Sequence, residues 1–476
     1  MVTALRNLIS LSLSLMILYF CCGCGDSDPG STHQDDDAPR TLNTSNEDFV
    51  LSEQGEAMYT DVIAGLDDEV HVLYTDGQDA NTVYYRYSAN RGKTWSPNVN
   101  LMEGSDPATI STIRIIRDGT GLIYAIWKTL IGSPDKANEP EGLGRGALTC
   151  RVLQGNLWSK PFTIGPSSPY YLFSWFACTD SRGQVHVIWN QSLPSNPEKA
   201  ESFSGTFMQA DLHGTTVSTP KVLLQAPASG EMNRFASVRY YGLNGYIAPN
   251  GAAHWIAERQ QNCAPGAGGC QSGQDVVYWN GTKEIEVTHL TDVAKMSPRL
   301  LVDTHGNDHV IEMGADKSGA PGLLDIQPGS QEDPIAIMKT TDTQGGLRGF
   351  QVIQSPKGEM AILAVAEGVS QGRLSFQHNL YSATFDGTNW SKPTNVTDSA
   401  TRLLSNEGNT SNTDAMTILS VHSASGAFLP NGSALYLLLI AEETGVNPKD
   451  HTRSEVHITT GSGTGGNVLF RNFPLK

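Results

Sequence analysis

The sequence predicts an all-β protein built from one repeated unit of four antiparallel strands. A Gly-containing turn followed by a strongly apolar strand recurs about seven times, at spacings of roughly 50–75 residues. No long segment shows helical periodicity, and the 48 glycines among 476 residues suit many turns. Each unit needs its neighbours to cover its apolar faces, so we expect the units to stack around an axis as a single β-propeller. The copies begin at Leu66, Arg117, Asp180, Pro249, Asp303, Ser355 and Leu429.

The second half of each unit is predicted to be a hairpin. Four of these hairpins end in an apolar residue followed by serine, namely Trp95-Ser96, Trp158-Ser159, Val217-Ser218 and Trp390-Ser391. The hairpins predicted from Val276 and from Ile335 are degenerate. Asp48 to Ser52 are expected to add an outer strand to the last unit and close the ring. The copy count favours seven blades, with six as the alternative if one weak unit is an insertion.

Composition and charge exclude one class of partner. Hydrophobic residues make up 39% of the chain, enough for a core, and acidic residues outnumber basic ones by 49 to 32. The net charge of −17 repels nucleic acid, and no basic cluster offsets it. No phosphate-binding Gly loop, Ser nucleophile elbow or paired-His zinc motif occurs, so the sequence predicts no cofactor and no metal.

Residues 1–24 are predicted to be a targeting segment. Arg6 precedes an apolar run from Leu8 to Phe20 that is too short to span a bilayer comfortably. Gly23-Cys24 resembles the cleavage site of bacterial lipoproteins, which implies acylation of Cys24 and anchoring in the bacterial cell envelope. A plain secretory signal, and hence a secreted protein, is the alternative. Residues 25–47 are acidic and poor in large apolar residues, so we expect a disordered tether before a domain at 48–476.

The remaining cysteines suggest a disulfide rather than a metal site. Cys263 and Cys270 flank a short Gly-rich loop with no nearby histidine, which favours a disulfide in an exported chain. Cys150 and Cys178 either pair or remain buried thiols, and their spacing leaves both possibilities open.

Polar residues follow the apolar part of each second strand and are the candidate ligand-binding residues. If the registers match, these side chains point toward one face of the ring near its central channel. Carboxylates there would accept several hydrogen bonds from sugar hydroxyls or hold a cation, while the simpler explanation is that each strand becomes polar where it meets solvent. The set is Asp76, Lys128, Asn190, Glu258, Glu312, Glu367 and Glu442.

Histidines recur at one phase of the second strand, at His71, His186, His254 and His309. Neighbouring sheets pack about 10 Å apart, whereas metal–nitrogen bonds are about 2 Å long, so equivalent positions on different sheets cannot share one ion. We therefore expect these histidines to be packing residues with one satisfied ring nitrogen.

The stretch from Ser88 to Trp95 carries the most specific motif. It resembles the Asp-box of sialidases and related β-propellers, with Asn90 in the usual aspartate position. Gly92 is suited to the positive φ of a tight turn, and Trp95 provides a large apolar side chain. The matching positions are Ser88, Asn90, Gly92, Thr94 and Trp95.

The resemblance implies a catalytic set. Sialidases hold the substrate carboxylate with three arginines and use a Tyr–Glu pair as nucleophile and an Asp as acid/base. Arg114, Arg239 and Arg299 lie on predicted first strands and are the candidate clamp, since a guanidinium matches a carboxylate. Ion pairing or stem packing between blades is the alternative role for these arginines.

Tyr240 and Glu258 are residue types that the nucleophile pair would need. The match to sialidases is incomplete, because the usual Phe/Tyr-Arg-Ile-Pro opening is absent; the nearest segment, Thr112 to Ile116, has no Pro. Only one Asp-box is well formed. The sequence therefore favours an exported propeller that binds a glycan or protein ligand at the channel mouth. An exo-acting sialidase-type glycosidase and a protein-interaction scaffold are the alternatives.

Overall fold

The computed structural model describes nineteen stretches of the chain, and β-strands are the elements whose bounds it describes. The stretches are 49–52, 59–65, 68–76, 81–103, 109–130, 146–165, 171–192, 205–224, 235–263, 273–287, 298–330, 332–340, 346–355, 358–367, 378–396, 415–428, 434–446, 459–460 and 467–473. Cys24, the targeting segment and the tether lie outside these ranges. In the described stretches no helix has the length and apolarity to cross a membrane.

The described strands form seven antiparallel sheets of four or five strands. Sheet 1 contains Thr60–Ala64, Val70–Asp76, Thr82–Ser88 and Val99–Asn100. Sheet 2 contains Thr109–Arg117, Ile123–Leu130, Gly146–Gln154, Leu157–Trp158 and Phe162–Thr163. Sheet 3 contains Tyr171–Thr179, Val185–Ser192, Thr206–His213, Thr216–Val217 and Lys221–Leu224.

The remaining four sheets follow the same order. Sheet 4 contains Phe235–Ile247, Ala253–Cys263, Gly273–Asn280 and Glu284–Glu286. Sheet 5 contains Arg299–Val302, Asp308–Ala315, Pro321–Ile326 and Ile335–Lys339. Sheet 6 contains Leu347–Gln354, Met360–Glu367, His378–Phe385 and Thr394–Asn395. Sheet 7 contains Ala415–Phe428, Ala434–Val446, Thr459–Thr460, Asn467–Phe473 and Phe49–Val50.

The first strands of the sheets surround a common axis. Each contacts the first strand of the next sheet, and the first strand of sheet 7 contacts that of sheet 1, so the order closes on itself. This arrangement is a β-propeller. Phe49 and Val50 pair with Phe470 and Leu469, which confirms the prediction that the segment after the tether adds the outer strand of the last unit.

The core lies between the sheets rather than within one of them. Side chains alternate along each strand, so each sheet presents one apolar face to the preceding sheet and one to the next. Tyr124 and Ile126 of sheet 2 pack against Trp175 and Val187 of sheet 3. The enclosed indoles of Trp127, Trp189 and Trp255 occupy successive interfaces of this kind.

The serines predicted to end four hairpins share one hydrogen-bond pattern. The Ser96 backbone N–H donates to the Tyr87 carbonyl at 2.8 Å, and the Tyr87 N–H donates to Ser96 Oγ at 3.0 Å. The same reciprocal pair joins Ser159 to Val152, Ser218 to Asp211 and Ser391 to Thr384. Each serine therefore satisfies an edge donor and fixes where the outer strand begins.

Sheet 5 departs from the predicted unit. The hairpin expected from Ile335 is wrong, because Ile335–Lys339 is the outer strand and pairs with Pro321–Ile326. The missed strand follows the turn at Asp316, whose carboxylate accepts the backbone N–H groups of Ser318 and Ala320 at 2.9 and 3.1 Å. The predicted hairpin from Val276 is present, since Gly273–Asn280 pairs with Glu284–Glu286.

The turn in Ser88 to Trp95 is held by its own side chains. Asn90 Oδ1 accepts hydrogen bonds from Ser88 Oγ and from the Thr94 N–H, both at 2.9 Å. Asn90 Nδ2 donates to Thr94 Oγ1 at 2.9 Å, and the Gly92 N–H donates to Ser88 Oγ at 2.8 Å. Gly92 has a φ of 82°, which favours glycine, and Trp95 is partly buried against the sheet 1 cluster that includes Val72.

Replacing Asn90 tests whether these bonds hold the turn. We expect Asn90→Ala to lower the free energy of unfolding by about 1–2 kcal/mol, since it removes both acceptor bonds and the donor bond. Asn90→Asp keeps an acceptor for Ser88 and Thr94, so its effect should stay within about 0.5 kcal/mol. Urea unfolding of both variants beside the wild type measures this, and an equal loss in both would contradict the assigned role.

Candidate functional site

Two of the three predicted clamp arginines lie on inner strands of the ring, close enough for the charge of one to shift the pKa of the other. Arg114 lies on the first strand of sheet 2 and Arg299 on the first strand of sheet 5, three sheets apart in ring order. Burial and, to a smaller extent, the Arg114 charge lower the pKa of Arg299 to about 10, while the Glu258 charge acts in the opposite direction. Charges from sheets 2, 4 and 5 therefore act on one another across the channel.

Asp61 is a fourth member of this cluster that sequence reasoning missed. Arg114 Nη1 contacts Asp61 Oδ1 at 3.4 Å, and Asp61 Oδ2 accepts a hydrogen bond from the Ile115 backbone N–H at 2.9 Å. Burial raises the pKa of Asp61, while the Arg114 charge and these hydrogen bonds lower it. The signal was a single carboxylate in the apolar strand Thr60–Ala64, which could have been read as a buried partner for an arginine.

For Arg239, the third predicted clamp arginine, the structure describes only the backbone position. Arg239 pairs with Gln260 in the first two strands of sheet 4, and its side chain lies outside the described part of the structure. Its role in a carboxylate clamp stays a prediction.

Tyr240 and Glu258 lie on opposite faces of sheet 4. Tyr240 packs edge-on against Phe207 and Trp255, toward sheet 3. Ile256 faces sheet 5, and Glu258, two residues further along the strand, shares that face. These two residues therefore do not form the predicted Tyr–Glu pair. Burial raises the pKa of the Tyr240 phenol, with the Glu284 carboxylate as a further cause.

The tyrosine beside Glu258 is Tyr241. The two residues are directly opposite each other in the register of the first two strands of sheet 4. Directly opposed side chains in an antiparallel pair have Cβ atoms about 4.5–5.5 Å apart, so Tyr241 can reach the Glu258 carboxylate. The sequence could not separate Tyr240 from Tyr241, because a register shift between Tyr241 and Asn244 interrupts the pairing.

The predicted ring of polar residues divides into two registers. Lys128, Asn190 and Glu258 stand opposite Thr112, Ser174 and Tyr241, and each faces the following sheet. Asp76 and Glu312 face the preceding sheet instead, since Tyr74 and Val310, two residues before them, pack there. The single ring of equivalent side chains expected from sequence is therefore wrong for these two residues.

Two members of the set have only backbone positions. Glu367 pairs with His378 in sheet 6, and Glu442 pairs with Leu419 in sheet 7. Their side chains lie outside what the structure describes, so their contribution to a ligand site remains a prediction.

Lys128 and Asn190 are buried and have no partner among the described residues. Lys128 is 8% exposed, and among the described residues it has no hydrogen-bond or ion-pair partner. Burial lowers its pKa to about 8, and no described carboxylate opposes this effect. Asn190 is fully buried, and neither atom of its amide has a hydrogen-bond partner in the described structure.

The four recurrent histidines are hydrogen-bonded packing residues, as predicted. His71 Nδ1 bonds Tyr85 Oη at 2.7 Å, His186 Nδ1 bonds Asp211 Oδ1 at 2.7 Å, and His309 Nδ1 bonds Asp325 Oδ2 at 2.9 Å. His254 Nδ1 contacts Asp308 Oδ2 of the neighbouring sheet at 3.0 Å. Within the described stretches, no group of three or more His, Cys, Asp or Glu side chains could hold a metal ion.

The two carboxylates around His309 change its protonation. Burial lowers the pKa of His309, but the hydrogen bonds and charges of Asp325 and Asp303 outweigh it and raise the pKa. For His71 burial is the larger cause and lowers the pKa, despite Glu69. The pKa values of histidines at equivalent positions of the repeat therefore shift in opposite directions, because their neighbouring residues differ.

Cys150 and Cys178 are free thiols in sheets 2 and 3. Burial raises the pKa of both, that of Cys178 to about 12, so neither is a reactive thiolate near neutral pH. Cys270 lies outside the described residues, and the predicted Cys263–Cys270 disulfide is therefore untested.

No protein-family model and no curated protein sequence matches the chain. Solved structures of similar fold include the polysaccharide lyase Uly1, with 11% identity, a TM-score of 0.43 and coverage of 69% of this chain and 77% of that chain. An α-L-arabinanase from Penicillium chrysogenum has 12% identity, a TM-score of 0.42 and coverage of 67% and 94%. The Hadza microbial sialidase Hz136 has 9% identity, a TM-score of 0.43 and coverage of 83% and 74%. At these values the likeness concerns the fold alone, and no residue role is taken from it.

The unpaired lysine predicts a pH-dependent change in stability. A folded-state pKa of about 8 against an ordinary 10.5 means that the unfolded chain holds the proton more tightly. The destabilisation of the fold by the charged lysine is full below pH 8 and disappears as the pH rises past about 10.5. Lys128→Met should therefore stabilise the fold by about 3 kcal/mol at pH 7. We expect that gain to shrink steadily between pH 8 and pH 10.5.

Thermal and urea unfolding at pH 7 and pH 10 measure this difference. Lys160→Met, at an exposed position of sheet 2, is the matched control and should change stability by less than about 0.5 kcal/mol at either pH. A Lys128→Met protein that is less stable than the wild type at pH 7 would show that the ammonium has a stabilising partner.

Proposed function

We propose that this propeller binds a carboxylate-bearing glycan at the mouth of its central channel, with Arg114 and Arg299 holding the carboxylate. The supporting observation is that two guanidinium groups from sheets three apart act on each other in the channel, in a protein whose net charge is −17. Asp61 and Glu258 offset part of the repulsion between these like charges, and an anionic ligand would relieve more of it. A guanidinium also offers a planar fork that matches a carboxylate.

Binding is favoured over catalysis because the predicted nucleophile pair is not assembled. Tyr240 packs toward sheet 3, while Glu258 faces sheet 5. Hydrolysis by a sialidase-type mechanism is the second candidate, and one observation favours it. Tyr241 stands directly opposite Glu258, so a tyrosine and a carboxylate do lie side by side near the arginines.

We also propose that the protein is exported and held at the bacterial cell envelope by acylated Cys24. The support is the apolar run Leu8 to Phe20 followed by Gly23-Cys24 and an acidic, polar stretch. Mass spectrometry of the mature N-terminus decides between the lipid anchor and plain secretion. An unmodified N-terminal residue would exclude the anchor.

We infer that the ring has seven blades. The support is the number of described sheets and the closed order of contacts between their first strands. An experimental structure in which one of these sheets packs outside the ring would leave the six-bladed alternative.

Binding at the channel mouth is tested with the two arginines. We expect the wild type to bind a carboxylated sugar such as sialyllactose or glucuronate and to ignore the corresponding neutral sugar. Arg114→Ala and Arg299→Ala should each weaken binding by about tenfold or more, because each removes a charged donor to the carboxylate. Arg182→Ala is the matched control, since Arg182 lies in the turn that joins the first two strands of sheet 3 and its side chain is 76% exposed.

Isothermal titration calorimetry gives the affinities, and a fluorogenic sialoside assay on the same variants reports turnover. Turnover that disappears in Arg114→Ala and Arg299→Ala would replace the binding proposal with the glycosidase. Equal affinity for acidic and neutral sugars, or none for either, would overturn the carboxylate site. A protein partner recovered by pull-down would then support the scaffold alternative.

A further inference from the structure

Lys128 is a charged side chain that the fold buries without a described counter-charge. Its stem packs in the cleft between sheets 2 and 3, where a Cβ atom on Gly146 would come within 3.0 Å of Lys128 Cε and 3.6 Å of Leu172 Cβ. No described carboxylate compensates for its burial, since desolvation is the one cause acting on its pKa. Burying an unpaired ammonium is unfavourable, so a packing role alone does not explain a lysine here.

The Lys128 ammonium nevertheless keeps access to solvent. Lys128 has no partner among the described residues, and its Nζ is not fully enclosed by protein. The residue as a whole is 8% exposed. The aliphatic stem is therefore held in place while the charged end remains open to a ligand.

Asn190 provides a second observation at the same register. It stands opposite Ser174 in sheet 3, as Lys128 stands opposite Thr112 in sheet 2. It is fully buried, and neither atom of its amide has a hydrogen-bond partner among the described residues. A Cβ atom on Gly205 would approach Asn190 Nδ2 to within 2.2 Å, so the Asn190 amide packs directly against the Gly205 backbone. Two neighbouring sheets thus place, at the same level of the ring, polar side chains that have no partner among the described residues.

Lys128 is close to the arginine pair. Arg114 stands opposite Ile126, and Lys128 lies two residues further along that strand, on the same face of sheet 2. Diagonal neighbours of this kind have Cα atoms about 7–8 Å apart. Lys128 is therefore beside the proposed carboxylate site, yet on a separate strand from Arg114.

We propose that Lys128 is a second anion-binding point, and that the ligand is an oligosaccharide with an acidic group on more than one of its sugars. This inference rests on the proposed function, with Arg114 and Arg299 holding one carboxylate while Lys128 meets a second from the next sugar along the chain. A ligand anion supplies the counter-charge that none of the described residues provides at Lys128.

Calorimetry with monomeric and oligomeric uronates tests the inference. The probes are glucuronate and galacturonate, their trimeric oligomers, and the fully methyl-esterified trimers, which have no carboxylates. We expect at least one acidic trimer to bind tenfold or more tightly than its monomer and its methyl ester. Lys128→Met should reduce the ratio of trimer affinity to monomer affinity to about one, while Lys160→Met should leave that ratio at its wild-type value.

The two proposals fail in different ways. If no acidic sugar binds, or if Arg114→Ala and Arg299→Ala leave monomer binding intact, the proposed function itself is overturned. If monomers bind through the arginines but every trimer binds no more tightly, or if Lys128→Met retains the trimer advantage, the second anion-binding point alone is overturned. A melting temperature for Lys128→Met at or above that of the wild type shows that a lost affinity is not caused by unfolding.

Discussion

Side-chain hydrogen bonds between consecutive first strands hold the ring together. Asp61 of sheet 1 accepts the Ile115 N–H of sheet 2, and Ser174 of sheet 3 accepts the Leu243 N–H of sheet 4 at 2.7 Å. Asn244 accepts the Leu300 N–H of sheet 5 at 2.8 Å. The inner edge of each such sheet has backbone groups with no further strand to pair with, so a neighbour's side chain satisfies them. The circle continues to its seam through Ser425 of sheet 7, which donates to the Thr60 carbonyl at 2.6 Å.

This constraint also positions the candidate site. One carboxylate oxygen of Asp61 accepts a hydrogen bond from the Ile115 backbone N–H, and the other contacts Arg114. One residue therefore both joins two sheets and orients a channel arginine. The joined first strands bring Arg114 and Arg299 together although 184 residues separate them in sequence. The chemistry of the channel is thus assembled by the same contacts that close the ring.

Much of the fold was predictable because it repeats. Serines at equivalent positions were visible in the sequence, and in the structure each makes the same pair of backbone hydrogen bonds, as Ser159 and Ser391 show. The candidate site was predicted only by residue type. The charges of Arg114 and Arg299 do act on each other. Tyr240, however, faces away from Glu258, and Asp76 faces the opposite way from Lys128. A shift of one residue turns a strand side chain to the other face, and β-bulges cannot be located from one sequence.

The sequence by itself determined the local structure: strands from alternating apolar residues, turns from Gly and Asn, and hairpin ends from serine. These features depend on residues a few positions apart, so the chain order contains them. Only the tertiary structure decided which charged residues lie together in the channel. It also decided that Lys128 is buried with no carboxylate partner among the described residues. Those properties depend on the register between strands and on which sheets become neighbours across the axis, and both are set by packing of the whole ring.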